Sequence, residues 1–77
     1  MGDFLLWARV RLRDSGEFAA TVSAVPLRSG DFAPPSDVLE TLCASRSEAH
    51  EANERMIEDL RTSLVDRGDR VLGVEVE

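Results

Sequence analysis

The chain has 77 residues, 43% hydrophobic and 31% charged, with 15 acidic against 9 basic residues and a formal charge of -6. At this length folding buries only roughly 60% of the surface that the unfolded chain exposes, so one domain with no large internal cavity is expected, and self-association that covers more apolar surface is a natural outcome. The composition is too apolar for a disordered tail, the single Cys43 excludes an internal disulfide framework, and no apolar run is long enough to span a bilayer.

From Leu6 to Arg13 the sequence alternates, with Leu6, Ala8, Val10 and Leu12 on one side and Trp7, Arg9, Arg11 and Arg13 on the other. A period of two is the mark of a half-buried strand. Asp14-Ser15-Gly16 then supplies a three-residue hairpin loop, with Gly16 in the left-handed conformation. The second alternating run sets Phe18, Ala20, Val22 and Ala24 against Glu17, Ala19, Thr21 and Ser23. Such a loop places Arg13 opposite Glu17, and therefore Leu12 opposite Phe18, Val10 opposite Ala20, Ala8 opposite Val22 and Leu6 opposite Ala24. Every apolar residue meets an apolar partner, whereas a slip of one residue turns the whole set to the wrong face.

Residues 26–37 contain three prolines and read as a long surface loop. Residues 38–44 read as a third strand whose pattern allows either Leu39, Thr41 and Cys43 or Val38, Glu40 and Leu42 to face the core. Ser45-Arg46-Ser47-Glu48 has the form of a capping box, in which the Ser45 hydroxyl accepts from an amide of the first turn and Glu48 reaches back to the Ser45 amide. A helix is expected over 46–66, with Ala49, Ala52, Met56, Ile57, Leu60 and Leu64 on one stripe and Glu51, Glu54, Arg55, Glu58 and Thr62 opposite; Gly68 stands where a left-handed C-cap belongs. Asn53 projects into the apolar stripe, and a buried amide needs a partner. A strand or loop carbonyl that fixes the helix on the sheet is the expected partner, a subunit contact the alternative. Residues 71–77 alternate Leu72, Val74 and Val76 against Gly73, Glu75 and Glu77 and read as a final strand. The order β-β-β-α-β makes residues 1–77 a single α+β domain, a small antiparallel sheet with one helix packed on one face. The other face is left to solvent or to a partner.

Few residues suggest chemistry. Cys43 ahead of a helix start and His50 in its first turns are the one candidate nucleophile and base, but a strand cysteine is more often buried packing, and no catalytic role is assigned. One His and one Cys do not make a metal set, the carboxylates of the helix spread around it, and the five glycines are too isolated for a phosphate loop, so no metal or cofactor is expected. Trp7, Arg9, Arg11 and Arg13 form the most informative surface. An aromatic beside a ladder of guanidinium groups suits an acidic protein surface, or RNA; pairing with Glu17, Glu75 or Glu77 is the purely structural alternative. Nucleic acid is disfavoured, because affinity for phosphate depends on basic residues and most of this chain is acidic. No signal-peptide pattern opens the chain, since Arg9, Arg11 and Arg13 follow the short run Phe4 to Ala8, and a soluble cytoplasmic protein with no membrane partner is expected.

The hairpin, the proline-containing loop, the third strand and the stretch from Glu40 through the capped helix to Glu58 resemble the HicB-like antitoxin domain. Thr41, Ser45, Glu48, Ala49, Asn53 and Ile57 match that family's pattern of a Thr-containing strand leading into a capped helix. The chain departs from the pattern in two places. A longer loop around Pro26, Pro34 and Pro35 replaces the family's Pro-Asp-Leu-Pro-Gly segment, and Cys43-Ala44 stands where Gly-Asp is common. The resemblance implies a small α/β binding domain that dimerises and engages a toxin-like ribonuclease. As the chain ends at Glu77, it is expected to lack the family's C-terminal DNA-binding module. The combined expectation is a non-enzymatic protein-interaction domain, a homo-oligomer that binds a toxin-like protein through Trp7, Arg9, Arg11 and Arg13. A small RNA-binding module using the same arginines is the alternative.

Overall fold

The hairpin takes the register that the alternation predicts. In the computed structural model, which describes residues 2–27 and 35–77, strand β1 (Asp3–Leu12) pairs antiparallel with β2 (Phe18–Pro26), with Leu12 opposite Phe18, Val10 opposite Ala20, Ala8 opposite Val22 and Leu6 opposite Ala24. Gly16 has φ 89°, and the turn is closed by the Arg13 amide donating to the Glu17 carbonyl at 2.8 Å and the Gly16 amide donating to the Arg13 carbonyl at 2.9 Å. Both strands run further than the alternation alone suggests. Pro26 fits at the end of β2 because the last pair with the next strand is Ala24 with Asp37, so no ladder bond is asked of its nitrogen. Of the expected loop over 26–37, residues 28–34 lie outside the described residues, while Pro26 and Asp37 belong to strands.

Strand β3 (Asp37–Cys43) pairs antiparallel with β2 and settles which side of it faces inward. Leu39, Thr41 and Cys43 lie opposite Val22, Ala20 and Phe18 and share the core side, leaving Val38, Glu40 and Leu42 on the other face. Helix α1 (Arg46–Asp66) has the predicted limits. Ser45 caps it from an extended conformation, its Oγ accepting from the Glu48 amide at 3.2 Å. The return bond differs by one residue from a capping box: the Glu48 carboxylate accepts from the Ala44 amide, at 3.3 Å, rather than from Ser45. At the other end Gly68, at φ 88°, allows the Asp69 amide to reach the Leu64 carbonyl at 2.9 Å and the Gly68 amide to reach that of Val65 at 3.0 Å, the paired bonds of a Schellman ending.

The sheet order is β3-β2-β1-β4, and β4 (Arg70–Val76) runs parallel to β1. The sheet is therefore mixed, with two antiparallel pairings and one parallel, where a uniformly antiparallel sheet was expected. The helix is the reason. β1 and β3 are both antiparallel to β2 and so parallel to each other, and α1 carries the chain back to the end of the sheet where β3 began, so the strand that follows repeats that direction. The facing of β4 also differs from its simple alternation. Phe4 pairs with Val71 but Leu5 pairs with Gly73, so Leu72 is an extra residue at a bulge. Val71 and Val74 thus pack on the core, and Val76, paired with Ala8, lies on the same side at the exposed end of the strand; of the set Leu72, Val74 and Val76, only Leu72 is displaced, to an exposed position at the bulge.

Helix α1 covers one face, with Ala49, Ala52, Met56, Leu60 and Leu64 against Leu6, Ala8, Ala20, Val22 and Ala24. Small residues on both sides of the centre let the helix backbone approach β2 closely, and Leu6, Val22 and Leu64, all fully buried, fill the space that the alanines leave. Asn53, only 4% exposed, bonds as expected: its Nδ2 donates to the Arg9 carbonyl at 3.1 Å and ties the helix to β1. No helix among the described residues is long and apolar enough to cross a membrane.

Candidate functional site

Because side chains alternate along each strand, the residues that leave the core side bare are determined by the register. From one end of the open face to the other, Val25 and Leu5 lie beside Gly73; Val38, Ser23, Trp7 and Glu75 form the next row; Glu40, Thr21 and Arg9 the third; Leu42, Ala19 and Arg11 the fourth. Arg13 and Glu17 close the hairpin end. Trp7 is 49% exposed near the middle of the sheet, with Leu42 and Val38 exposed on β3. Gly73 lies beside Leu5 in this arrangement, and a Cβ there would meet the Leu5 side chain at 3.4 Å, an ordinary van der Waals contact.

The arginine ladder is partly neutralised by its own fold. Arg9 Nε donates to the Glu77 carboxylate at 2.7 Å, the pairing with a neighbouring strand that the sequence suggested. Arg13 pairs at 3.8 Å with Glu40 of β3 and not with Glu17, its hairpin neighbour, whose carboxylate accepts from the Ser15 hydroxyl at 3.2 Å. Arg11 makes no ion pair among the described residues. Around these groups lies a shallow concavity of about 800 Å³, lined by Arg9, Arg11, Arg13, Thr21, Glu40 and Leu42 among others. At the opposite end of β1, Arg70 grips Asp3 with two bonds of 3.0 and 3.3 Å, and this hydrogen bonding holds the Asp3 carboxyl below its usual range and the Arg70 guanidinium above its own.

All four residues singled out from the sequence, Trp7, Arg9, Arg11 and Arg13, are exposed. Alternation alone missed their neighbours on the face: Leu5 and Val25, which lie beyond the residues first read as strand, and Val38, Glu40 and Leu42, whose facing depended on pairing with β2. Cys43 and His50 are not brought into hydrogen-bond contact. Cys43 is half-buried against the core and His50 is exposed on the helix. Among the described residues no three His, Cys, Asp or Glu side chains converge as a metal site would require. The arrangement can therefore offer an aromatic anchor, flanking aliphatic groups and a mixed ionic border, the anatomy of a protein contact. No protein-family model, curated protein or solved structure matches the chain.

Proposed function

We propose that the chain is a non-enzymatic protein-interaction domain that binds its partner through the open sheet face, with Trp7 as the anchor. The observation that carries this reading is a half-exposed Trp7 set among Leu5, Val25 and Val38 on a sheet face that nothing among the described residues covers. Burying a tryptophan and its aliphatic neighbours is the largest gain in binding energy that this surface offers, and the arginine and glutamate side chains around it supply orientation. Two protein partners fit the proposal: a second copy, and a toxin-like ribonuclease, the partner implied by the resemblance to HicB-like antitoxins. Binding of RNA through the ladder has less support, because Arg9 and Arg13 already face Glu77 and Glu40, leaving Arg11 alone to meet phosphate.

Native affinity purification of the full chain from its own cells tests the proposal, with Trp7→Glu as the control and circular dichroism to establish that the variant folds. The wild type is expected to bring down a stoichiometric protein, whether a second copy or a small basic protein, that the Trp7→Glu chain loses. A folded variant that retains the same associated protein in the same amount overturns the assignment of this face.

A further inference from the structure

We infer that the outer edge of β3 is a strand-addition site, which takes one extended segment of another protein antiparallel to β3, with aliphatic side chains beside Val38 and Leu42 and basic ones beside Glu40 and in the groove under α1. The site is separate from the Trp7 face and does not depend on it. β3 and β4 are the two edges of the sheet. β4 is blunted by the bulge at Leu72, whereas β3 keeps one unbroken register from Cys43 opposite Phe18 to Asp37 opposite Ala24, with no bulge and no proline. The hairpin fixes which backbone groups of β3 point outward. The Arg13 amide donates to the Glu17 carbonyl and the Leu27 amide to that of Asp3, so the odd-numbered residues of β1 and β2 bond each other. Even-numbered residues of β2 therefore turn toward β3 and engage Asp37, Leu39, Thr41 and Cys43. Val38, Glu40 and Leu42 are left with amides and carbonyls directed outward, a row that no described residue pairs.

A strand laid along this row meets a different surface on each side. On the open face its side chains fall beside Val38 and Leu42, 58% and 47% exposed, and beside Glu40, whose carboxylate is held only loosely, 3.8 Å from Arg13. On the helix side α1 stops short of the edge: Ala20 and Val22 of β2 are fully buried, but Leu39 is half-buried and Thr41 exposed. The gap is a groove of about 670 Å³, lined by Leu39 and Leu60 and by Asp37, Asp59, Ser63 and Asp66 among others. Arg67, also in its lining, pairs with Asp37 at 3.1 Å, whereas Asp59 and Asp66 make no ion pair among the described residues. An apolar floor with an excess of carboxylate at the rim suits the aliphatic stem and charged head of a lysine or arginine. The same rim disfavours a second copy. Antiparallel pairing of β3 with β3 of another chain brings a second helix with the same acidic flank to the same side of the sheet. Main-chain bonds then supply affinity and the alternate side chains supply specificity.

The probe is the blocked peptide acetyl-Thr-Val-Thr-Lys-Lys-Val-Thr-amide, titrated into the full chain and followed by amide NMR. In register, its second, fourth and sixth residues lie opposite Leu42, Glu40 and Val38, and its fifth enters the groove opposite Leu39. Binding is expected with a dissociation constant between about 10 µM and 1 mM, and the Val38, Glu40 and Leu42 amides, fast to exchange in the free chain, become protected. Methylating the peptide nitrogens of its second, fourth and sixth residues, which face β3, is expected to weaken binding at least about tenfold, since each loses a main-chain bond. Methylating the third and fifth, which face away, is expected to change it by less than about threefold. A chain carrying Asp59→Lys and Asp66→Lys, both at exposed positions, is expected to bind at least about tenfold more weakly. No binding by about 1 mM, equal affinity of the two methylated peptides, or unchanged affinity in the doubly substituted chain each overturn the inference. Val38, Glu40 and Leu42 amides already protected in the free chain overturn it too, and a dimer mass in sedimentation then makes a second copy the occupant. Trp7→Glu is expected to bind the peptide like wild type, so failure at this edge leaves the proposed function of the Trp7 face standing, and the reverse holds.

Discussion

Asn53 is the residue at which local rules and the folded chain meet most sharply. Its place within the apolar stripe implied a partner, and the Arg9 carbonyl is that partner. Its Oδ1, however, is buried with no hydrogen-bond partner among the described residues. One net hydrogen bond is worth about 1 kcal/mol, and an unsatisfied buried acceptor costs about 1 to 3 kcal/mol, so the amide does not raise stability on balance. Its contribution is positional: it fixes where α1 sits along β1. Replacing it by Asn53→Leu, close in volume, is accordingly expected to leave the unfolding free energy within about 1 kcal/mol of wild type or to raise it, as measured by urea denaturation. A loss of more than about 2 kcal/mol contradicts this reading of the unsatisfied oxygen.

The elements differ in how much of each was legible from the sequence. The hairpin register and both ends of α1 were readable because their determinants are local: Gly16 and the matched apolar sets of β1 and β2, Ser45 with Glu48 at the helix start, Gly68 at its end. The facing of β3 was not, because Leu39 and Leu42 are equally apolar and only pairing with β2 separates them. The bulge in β4 was invisible for a related reason, since it arises where Leu5 of one strand meets Gly73 of another, a contact between residues far apart in the chain. The parallel direction of β4, by contrast, follows from the element order once the helix is taken as a crossover. The bulge makes a clear prediction. Leu72→Glu is expected to change stability by no more than about 0.5 kcal/mol, as for an ordinary surface position. Leu64→Ala, at a fully buried site on α1, is expected to cost about 2 to 5 kcal/mol. Thermal or urea unfolding of the pair checks both, and a large loss at Leu72 contradicts the register.

At the scale of the whole molecule, one helix covers one side of a four-stranded sheet and leaves the other side bare among the described residues. The placement of Trp7 and the three arginines on that side was readable from alternation. Their electrostatic setting was not, because Arg13 meets Glu40 from a strand two places away in the sheet and not its hairpin neighbour Glu17. The chain is acidic as a whole, yet its first 16 residues hold three Arg against two Asp, and this local excess lies along the column beside Trp7. A surface with carboxylates on both flanks of a basic column is suited to a protein of mixed charge, its own copy included, better than to a polyanion. Trp7 is the chain's single tryptophan, so its fluorescence reports on this face and on no other part of the molecule. The most direct measurement is Trp7 emission, and its quenching by acrylamide, in the chain purified with its associated protein and in the chain stripped of that protein and diluted. The account predicts a blue-shifted maximum and reduced quenching in the associated form. An emission maximum and quenching constant that are the same in both forms contradict it.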